Sequence, residues 1–207
     1  MRRIGHRGAK GHAPENTIAA FAKAVELGCD EVETDVWLMD DDALVITHDR
    51  PASTAGLLTL EEALDFCRGK VAVNVELKSA LTESHARRTG ERVARRMAER
   101  GDGDAYVSSF WWSALEGARG AAPDVRRAFI YSASPDRTTL LGAARSLGLW
   151  ALHPYFGYAT EDLVSAAHGA GLRVNVWTVN DPRDIARMVE RGVDGIASDF
   201  PERVPKG

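Results

Sequence analysis

The chain has 207 residues, of which 44% are hydrophobic and 27% are charged, as expected for a globular protein with an apolar core. This length is short for two domains of average size, so we expect a single domain spanning residues 1–207. The 30 acidic residues outnumber the 26 basic ones and give a formal net charge of -4. That balance argues against a general partner of nucleic acid or anionic membranes.

The cysteine content and the amino terminus bear on the compartment. Cys29 and Cys67 are too few for a disulfide framework, and neither belongs to a CxxC pair, which favours a reducing compartment. Residues 1–8 lack the apolar core of about 7–15 residues that a secretory signal contains. No run reaches the roughly 18 apolar residues of a membrane span. We therefore expect a cytoplasmic protein without stable membrane anchoring.

A repeated order of helix, glycine and strand signals organises the chain. An amphipathic segment is followed by a glycine and then by a short run rich in valine, isoleucine and alanine. Glycine supplies the left-handed conformation that commonly ends a helix. In the last three units, Gly148, Gly171 and Gly192 recur at nearly equal intervals that fit one strand and one helix. The pattern is typical of an α/β protein with parallel strands.

The hydrophobic runs predict eight strands of a barrel and one additional hairpin arm. The strands are expected at 3–6, 31–36, 71–78, 105–110, 127–131, 149–153, 173–178 and 195–198, with the hairpin arm at 44–48. Between them lie amphipathic helices, such as the one whose apolar stripe is Ile18, Phe21, Ala22 and Val25. This order predicts a compact TIM (β/α)8 barrel near the lower size limit of about 200 residues. An open doubly wound sheet is the alternative, but residues 5–8 lack its glycine-rich phosphate turn.

Acidic side chains occur on one face of two neighbouring predicted strands. Because strand side chains alternate, Glu33 and Asp35 share a face, and Glu76 lies opposite the apolar face of its own strand. We expect all three to point into the barrel, where unpaired carboxylates are costly. Three oxygen donors suit Mg²⁺ or Ca²⁺ better than Zn²⁺. Alternatively, Arg7 and Lys78 neutralise the acids as buried ion pairs, and the residues by themselves leave both interpretations open.

Two of the six histidines are candidates for proton transfer. His6 and His48 each end a predicted strand at the rim that also carries the acids. A histidine pair can supply one proton acceptor and one proton donor for the cleavage of a diester. His12, His85 and His168 lack such neighbours in the sequence, and a structural role is the simpler interpretation for them.

Several ordered motifs resemble the glycerophosphodiester phosphodiesterase family. They are His6-Arg7-Gly8, Ala13-Pro14-Glu15-Asn16-Thr17, Glu33-Thr34-Asp35-Val36, His48-Asp49, Glu76-Leu77-Lys78, Ser108-Ser109-Phe110 and Trp177-Thr178-Val179-Asn180. Their order and spacing agree from residue 3 to about residue 201. A single such motif would be weak evidence, whereas this ordered set is specific.

The resemblance implies a TIM barrel that hydrolyses glycerophosphodiesters to glycerol 3-phosphate and an alcohol, using one divalent cation, Mg²⁺ or Ca²⁺. The site residues it implies are the metal ligands Glu33, Asp35 and Glu76, the acid/base pair His6 and His48, and the substrate-binding residues Arg7, Lys78 and Trp177. Trp177 would form an apolar wall for the glycerol or the leaving group, although simple packing over the barrel mouth explains a tryptophan there equally well.

The chain departs from the family pattern after His48-Asp49, where the family commonly carries a substantial insertion. Here residues 50–56 lead at once into the next predicted helix. The resemblance therefore implies a site that is more open on this side, and it leaves the preferred alcohol undefined. Ser198, which stands where the family usually has threonine, keeps the hydroxyl group.

Three other functions are compatible with parts of the pattern. A catalytically silent phosphate-binding module would not need both His6 and His48. An enzyme that cleaves phospholipid head groups, similar to phospholipase D, would be expected to carry exposed apolar loops or a secretion signal. A retaining glycosidase would leave both histidines and Lys78 without a role. The sequence therefore favours a hydrolase whose partner is a small-molecule glycerophosphodiester, and it does not define the oligomeric state.

Overall fold

The computed structural model describes residues 1–79 and 82–206 of the chain, and its strands form one closed sheet. The strands are β1 (Arg2–Gly5), β2 (Glu31–Leu38), β3 (Leu44–Ile46), β4 (Ala72–Leu77), β5 (Ala105–Ser109), β6 (Arg127–Tyr131), β7 (Ala151–Pro154), β8 (Arg173–Val176) and β9 (Gly195–Ser198). Eight of them pair in parallel, and β3 is the antiparallel neighbour of β2. The barrel closes because Ile4 of β1 aligns with Glu31 on one side and with Ala197 on the other. The predicted TIM barrel and its hairpin arm are confirmed.

Helices connect the parallel strands and form the outer layer. They are α1 (Ile18–Glu26), α2 (Leu60–Cys67), α3 (Glu83–Arg100), α4 (Trp112–Ala121), α5 (Arg137–Leu147), α6 (Glu161–Gly169) and α7 (Pro182–Glu190), with short 3-10 turns at Phe156–Tyr158 and Pro201–Arg203. None of the helices in the described ranges is long and apolar enough to cross a bilayer.

The buried face of α1 differs from the predicted stripe. Ala22 is exposed, whereas Ala20, Phe21 and Ala24 are buried. Ile18 and Val25 of the predicted stripe pack against the core, and the buried face extends to Ala20 because this residue packs directly beneath Gly8, where a Cβ atom on the glycine would lie 2.6 Å from that of Ala20. This close approach fixes the turn that follows β1.

Apolar and polar side chains separate cleanly across the barrel wall. Val32 and Val36 of β2 and Val73, Val75 and Leu77 of β4 are buried in the layer between strands and helices. The alternate positions of the same strands therefore face the barrel interior, as the sequence predicted. The acidic side chains are on that inner face.

Several strands end earlier than predicted. β1 ends at Gly5, β3 at Ile46 and β8 at Val176, so His6, His48 and Trp177 follow their strands. Arg7 and Gly8 adopt positive φ values of 50° and 83°, which turn the chain away from the sheet directly after His6. The candidate functional side chains consequently lie on loops at the carboxyl end of the barrel.

Glycines control the packing of α3 against α4, and this packing gives a test of the fold. A Cβ atom on Gly117 would overlap the carbonyl oxygen of Arg87, whereas one on Gly120 of the same helix would contact nothing within 4 Å. Gly117→Ala should therefore lower the free energy of unfolding by about 1–3 kcal/mol because the helices must separate. Gly120→Ala should instead raise it by up to ~1 kcal/mol through helix propensity. Urea unfolding measures both, and equal effects of the two substitutions would contradict the packing.

Candidate active site

Three carboxylates converge inside the carboxyl end of the barrel. Glu33 and Asp35 project from β2 and Glu76 from β4, with Asp35 and Glu76 in register. One oxygen from each lies within 4.8 Å of the others. Burial, followed by repulsion from Asp35 and Glu76, raises the pKa of Glu33 well above its usual range, and burial with repulsion from Asp35 raises the pKa of Glu76 to about 7. The cluster therefore needs positive charge.

Arg7 and Lys78 supply part of this charge. The Arg7 Nε atom is 3.3 Å from Oδ2 of Asp35, and Lys78 Nζ is 3.2 Å from Oδ1 of Asp35 and 2.8 Å from Oε1 of Glu76. Glu33 differs, because its Oε2 accepts a hydrogen bond of 2.8 Å from the backbone nitrogen of Arg7, while its buried Oε1 has no hydrogen-bond partner among the described residues. The ion pairs predicted as an alternative are present, but they leave Glu33 uncompensated.

The donor set fits a hard divalent cation. It consists of three carboxylates, two of them more than nine-tenths buried, and one of their oxygen atoms is unpaired within the described structure. Oxygen-only donors are typical of Mg²⁺ and Ca²⁺ sites, whereas Zn²⁺ favours nitrogen and sulfur ligands. The residues present are therefore able to hold such a cation at the barrel mouth.

Asn16 orients the central carboxylate of this cluster. Its Nδ2 donates to Oδ2 of Asp35 at 2.8 Å, and its Oδ1 accepts from Thr34 Oγ1 at 2.8 Å and from the Asp35 nitrogen at 3.3 Å. Asn16 has a φ of 58°, a left-handed conformation that asparagine tolerates better than most residues. The sequence motif contains Asn16, but its contact with Asp35 depends on that backbone conformation.

His6 lies beside the acidic cluster and is held by Asp199. Its Nδ1 atom is 2.7 Å from Oδ1 of Asp199, and its Nε2 atom is 3.9 Å from Oε2 of Glu33. Burial lowers the pKa of His6, and the hydrogen bond with Asp199 opposes that shift only partly. The ring is therefore neutral near pH 7, with Nδ1 donating to Asp199 and Nε2 available as a proton acceptor.

Asp199 is itself fixed by Asn180, and sequence reasoning did not include either residue in the site. Asn180 Nδ2 donates to Oδ2 of Asp199 at 2.8 Å, while Asn180 Oδ1 accepts from the Asp199 nitrogen at 2.9 Å and from Ser198 Oγ at 3.0 Å. Both residues follow barrel strands, and this position at the carboxyl end of the barrel was the feature of the sequence that could have placed them in the site. Ser198 contributes through its hydroxyl group, as its comparison with threonine suggested.

His48 lies at the same rim but not against the acids. The Thr47 nitrogen donates to the Asp35 carbonyl oxygen at 3.1 Å, which anchors the loop next to β2. The ring of His48 pairs through Nδ1 with Asp49 at 2.8 Å, and 37% of its side chain is exposed. Within the described residues, the structure thus brings His6 into contact with the cluster and leaves the His48 ring on the open side.

An open cleft adjoins His48 where the chain passes from β3 to α2. Its volume is about 500 Å³, and its walls include Ile46, Leu57 and Leu58 beside His48. The short connection at residues 47–59 leaves this side of the site uncovered, in agreement with the compact barrel predicted from the sequence. A leaving group next to His48 would have room to extend into this cleft.

Trp177 packs over the barrel mouth and borders the site. Its Nε1 donates to the His153 carbonyl oxygen at 2.8 Å, and its ring packs edge-on against Phe110 and Tyr155, at centroid distances of 5.4 and 5.8 Å. It also lines a cavity of about 40 Å³ together with His6, Glu33 and Glu76. The tryptophan is therefore a packing residue that presents an apolar wall to the site.

The other histidines have structural contacts, as predicted. His12 Nε2 lies 3.0 Å from Glu202, His85 Nε2 lies 3.1 Å from the Leu38 carbonyl oxygen, and His168 Nε2 lies 2.8 Å from Asp194. None of these three rings contacts a carboxylate of the cluster in the described part of the chain. They hold neighbouring elements together.

The fold and this arrangement define an enzyme of the TIM-barrel class whose polar side chains meet at the carboxyl end of the strands. The sequence model of the glycerophosphoryl diester phosphodiesterase family matches residues 6–56 and 50–203. The chain belongs to this family, which confirms the resemblance found in the motifs and the enzyme class that it implied.

Individual relatives agree over nearly their whole length. A glycerophosphodiester phosphodiesterase of Caldanaerobacter subterraneus is 30% identical, with 96% of this chain and 94% of the relative aligned. A glycerophosphodiester phosphodiesterase of Bacillus altitudinis is 28% identical, with 98% of this chain and 96% of the relative aligned. Among solved structures, one shows an Oleispira antarctica phosphodiesterase in complex with the product sn-glycerol-3-phosphate. Its sequence is 26% identical to this chain, its TM-score is 0.87, and the match covers 99% of this chain and 95% of that chain.

The alignment with the Caldanaerobacter protein also bears on the compactness of the barrel. It extends over 232 positions, more than the 207 residues of this chain. The relative therefore has residues within the aligned region that this chain lacks. This agrees with a barrel that carries little insertion.

The contact between His6 and Asp199 predicts a change in proton affinity. Asp199→Asn removes a negative charge that raises the pKa of His6, while burial and Arg7 continue to lower it. The pKa of His6 should therefore fall further, which an NMR titration of the ring measures. Asp194→Asn, which removes the carboxylate that pairs with His168, is the matched control and should leave His6 unchanged. An unchanged or higher His6 pKa in Asp199→Asn would contradict the contact between His6 and Asp199.

Proposed function

We propose that this enzyme is a cation-dependent phosphodiesterase that releases glycerol 3-phosphate and an alcohol from small-molecule glycerophosphodiesters. The observation that carries the proposal is the convergence of three largely buried carboxylates, two cationic side chains and a neutral imidazole at one end of the barrel. The product in the Oleispira relative supports the same substrate class. The proposal takes residues 1–207 as one domain that acts in the cytoplasm without a nucleic-acid partner.

The acidic cluster would hold one Mg²⁺ or Ca²⁺ ion through Glu33, Asp35 and Glu76. When bound there, the cation would supply positive charge that stabilises the charge developing on a phosphate oxygen during cleavage. The unpaired Oε1 of Glu33 and the raised pKa of Glu76 are the features of this chain that support the assignment.

Arg7 and Lys78 would bind the phosphate. Both side chains are largely buried next to the cluster and point their charged groups at Asp35. Two fixed cationic donors lower the cost of negative charge on non-bridging oxygens, and they do so most effectively away from bulk water. Glu15 accepts from Nη1 of Arg7 at 3.0 Å and so restrains the guanidinium group at the entrance.

His6 would act as the proton acceptor. Its Nε2 atom faces the cluster, so it would take a proton from the attacking water as the water oxygen bonds to phosphorus and the bond from phosphorus to the alcohol oxygen breaks. Asp199 would stabilise the resulting imidazolium through Nδ1. His48 would act as the donor and protonate the leaving alkoxide from Nε2, because Asp49 occupies its Nδ1. The open cleft beside His48 supports this assignment, since the alcohol would leave on that side.

A related activity on lysophospholipids is the second candidate. Phe110 and Tyr155 are 40% and 38% exposed beside Trp177, and exposed aromatic side chains at a site entrance suit the contact of a longer apolar group. The same catalytic groups would serve both substrates. The substrate panel below separates the two candidates.

The purified protein should release glycerol 3-phosphate from glycerophosphocholine and glycerophosphoethanolamine in the presence of Mg²⁺ or Ca²⁺, and a chelator should suppress this activity. Glycerol 3-phosphate is measured with an enzyme-coupled assay. Cleavage of lysophosphatidylcholine is tested in parallel. His6→Ala should lower turnover by about 10²- to 10⁴-fold, the usual contribution of a proton-transfer group. It should keep the fold, because it removes no carboxylate of the cluster.

Three results would count against the proposal. Turnover that persists in excess chelator would refute the need for a cation. Absence of turnover on every diester at saturating cation would instead favour a silent binding module. Cleavage of lysophosphatidylcholine without cleavage of glycerophosphocholine would favour the second candidate.

A further inference from the structure

An exposed row of aromatic rings lies along one edge of the barrel mouth. Within the described residues, four large hydrophobic side chains are exposed, and three of them, Phe110, Tyr155 and Tyr158, follow β5 or β7 at this edge. The fourth is Val189, in the last turn of α7 at the opposite end of the barrel. The exposed aromatic side chains are therefore concentrated in one place.

The rings form a continuous surface with Trp177. Phe110 and Tyr155 each pack against Trp177, as described above, and Tyr155 also contacts Tyr158 at a centroid distance of 6.0 Å. We call these four side chains the aromatic rim. Tyr158 joins the row through Tyr155, so the rim extends beyond the wall that Trp177 presents to the site.

The backbone holds two of these rings in place. The Tyr155 nitrogen donates to the Tyr131 carbonyl oxygen at 2.7 Å, and the Tyr158 nitrogen donates to the Tyr155 carbonyl oxygen at 2.9 Å. A Cβ atom on Gly157 would lie 2.9 Å from Cε1 of Tyr155, so the glycine leaves room for this ring beside the turn. Side chains that are fixed before binding lose little conformational entropy when a partner covers them.

The segments that carry the rim contain no charged residues. Residues 105–115, 149–160 and 174–180 lack Asp, Glu, Lys and Arg, although 27% of the chain is charged. At the edge of the rim, Tyr158 lines a groove with Asp136, Arg137 and Asp162, where acids outnumber the base. Charge complementarity therefore disfavours an anionic partner and favours one that carries no net charge.

The chemistry of the rim matches the interface of a phospholipid bilayer. Tyrosine and tryptophan are enriched at the headgroup level of membranes, because their rings are apolar and their tips are polar. In the described part of the chain, the hydroxyl groups of Tyr155 and Tyr158 have no hydrogen-bond partner. Both hydroxyl groups are therefore available to lipid headgroups while the rings contact the acyl boundary.

A second copy of the chain would need a larger surface. The three exposed rings together offer on the order of 250 Å², whereas a stable protein–protein interface buries about 800 Å² on each partner. Insertion of a few side chains is sufficient for reversible attachment to a bilayer, whose strength follows the apolar area that is buried. The size of the rim therefore favours a lipid surface over a dimer.

We infer that the aromatic rim is a docking surface for a zwitterionic phospholipid bilayer, into which Phe110, Tyr155 and Tyr158 insert reversibly at the headgroup level. This inference goes beyond the proposed function and does not depend on it. When the rim is docked, the carboxyl end of the barrel faces the lipid surface.

Cosedimentation with phosphatidylcholine vesicles tests the character of this surface. The wild-type protein should bind these vesicles at least as well at ~1 M salt as at ~0.1 M salt, because no ion pair contributes that salt would screen. Addition of phosphatidylglycerol to the vesicles should not strengthen the binding.

Variants of the rim locate the contact. Phe110→Ser and Tyr158→Ser should each lower the partition coefficient about fivefold or more, since each removes an apolar ring from the interface. Tyr158→Trp should preserve it, because tryptophan is also favoured at the headgroup level. Val189→Ser is the matched control: it removes a similarly exposed side chain at the other end of the barrel and should leave the partition coefficient unchanged.

Several results would overturn the inference. The first is that the wild-type protein does not bind phosphatidylcholine vesicles. Binding that requires phosphatidylglycerol and disappears at high salt would assign the contact to a basic surface instead. An equal loss in Val189→Ser and Tyr158→Ser would show that the rim is not the contact. In sedimentation velocity, a wild-type dimer that dissociates in Tyr158→Ser would show that the rim binds a second copy of the chain.

The same variant keeps this inference separate from the proposed function. Tyr158 is not among the proposed catalytic or substrate-binding residues, so Tyr158→Ser should hydrolyse dissolved glycerophosphocholine as the wild-type protein does. Vesicle binding without any hydrolysis would reject the proposed function and retain the docking surface, and hydrolysis without vesicle binding would do the reverse. Circular dichroism confirms that each variant is folded, and if Tyr158→Ser does not fold, Phe110→Ser decides the vesicle test.

Discussion

Carboxylates that lie out of water and close together repel one another, and much of the structure at the barrel mouth compensates for that repulsion. Glu33, Asp35 and Glu76 each come from an inward position of β2 or β4, so the strand pairing itself brings them together. Arg7 and Lys78 approach Asp35 from two sides. Glu33 keeps a buried oxygen without a partner in the described part of the chain. The remaining unbalanced charge is the reason that a divalent cation fits the site.

The loops at this end of the barrel are shaped by the same requirement. The positive φ values of Arg7 and Gly8 turn the chain so that the backbone nitrogen of Arg7 donates to Glu33 and the His6 ring faces the cluster. Gly8 permits this turn because Ala20 of α1 lies immediately behind it. Residues that never touch the acids, such as Ala20, therefore help to set the geometry of the site.

The strand pattern made much of this predictable from the sequence. The period of two in β2 and β4 separates apolar from acidic positions, and it identified Glu33, Asp35 and Glu76 as inward residues. Glycines after helices marked the repeating units. The contacts of His6 with Asp199 and of Asn16 with Asp35 were not predictable, because they join residues 193 and 19 positions apart through barrel closure and a left-handed backbone. The predicted stripe on α1 was wrong at Ala22, since the approach of Gly8 sets the buried face.

The central claim is that the three carboxylates, brought together by strand pairing, bind a divalent cation. Unfolding midpoints measured from about pH 5 to about pH 8, with a chelator and with added Mg²⁺ or Ca²⁺, test it directly. The pKa of Glu76 is raised to about 7 in the folded, cation-free protein. Its contribution to stability is therefore complete below its unfolded pKa and is lost as the pH rises through about 7. A cation competes with this proton, so the account predicts a stabilisation by the cation that increases with pH across this interval. Equal midpoints with and without the cation, or a stabilisation that does not increase with pH, would contradict it.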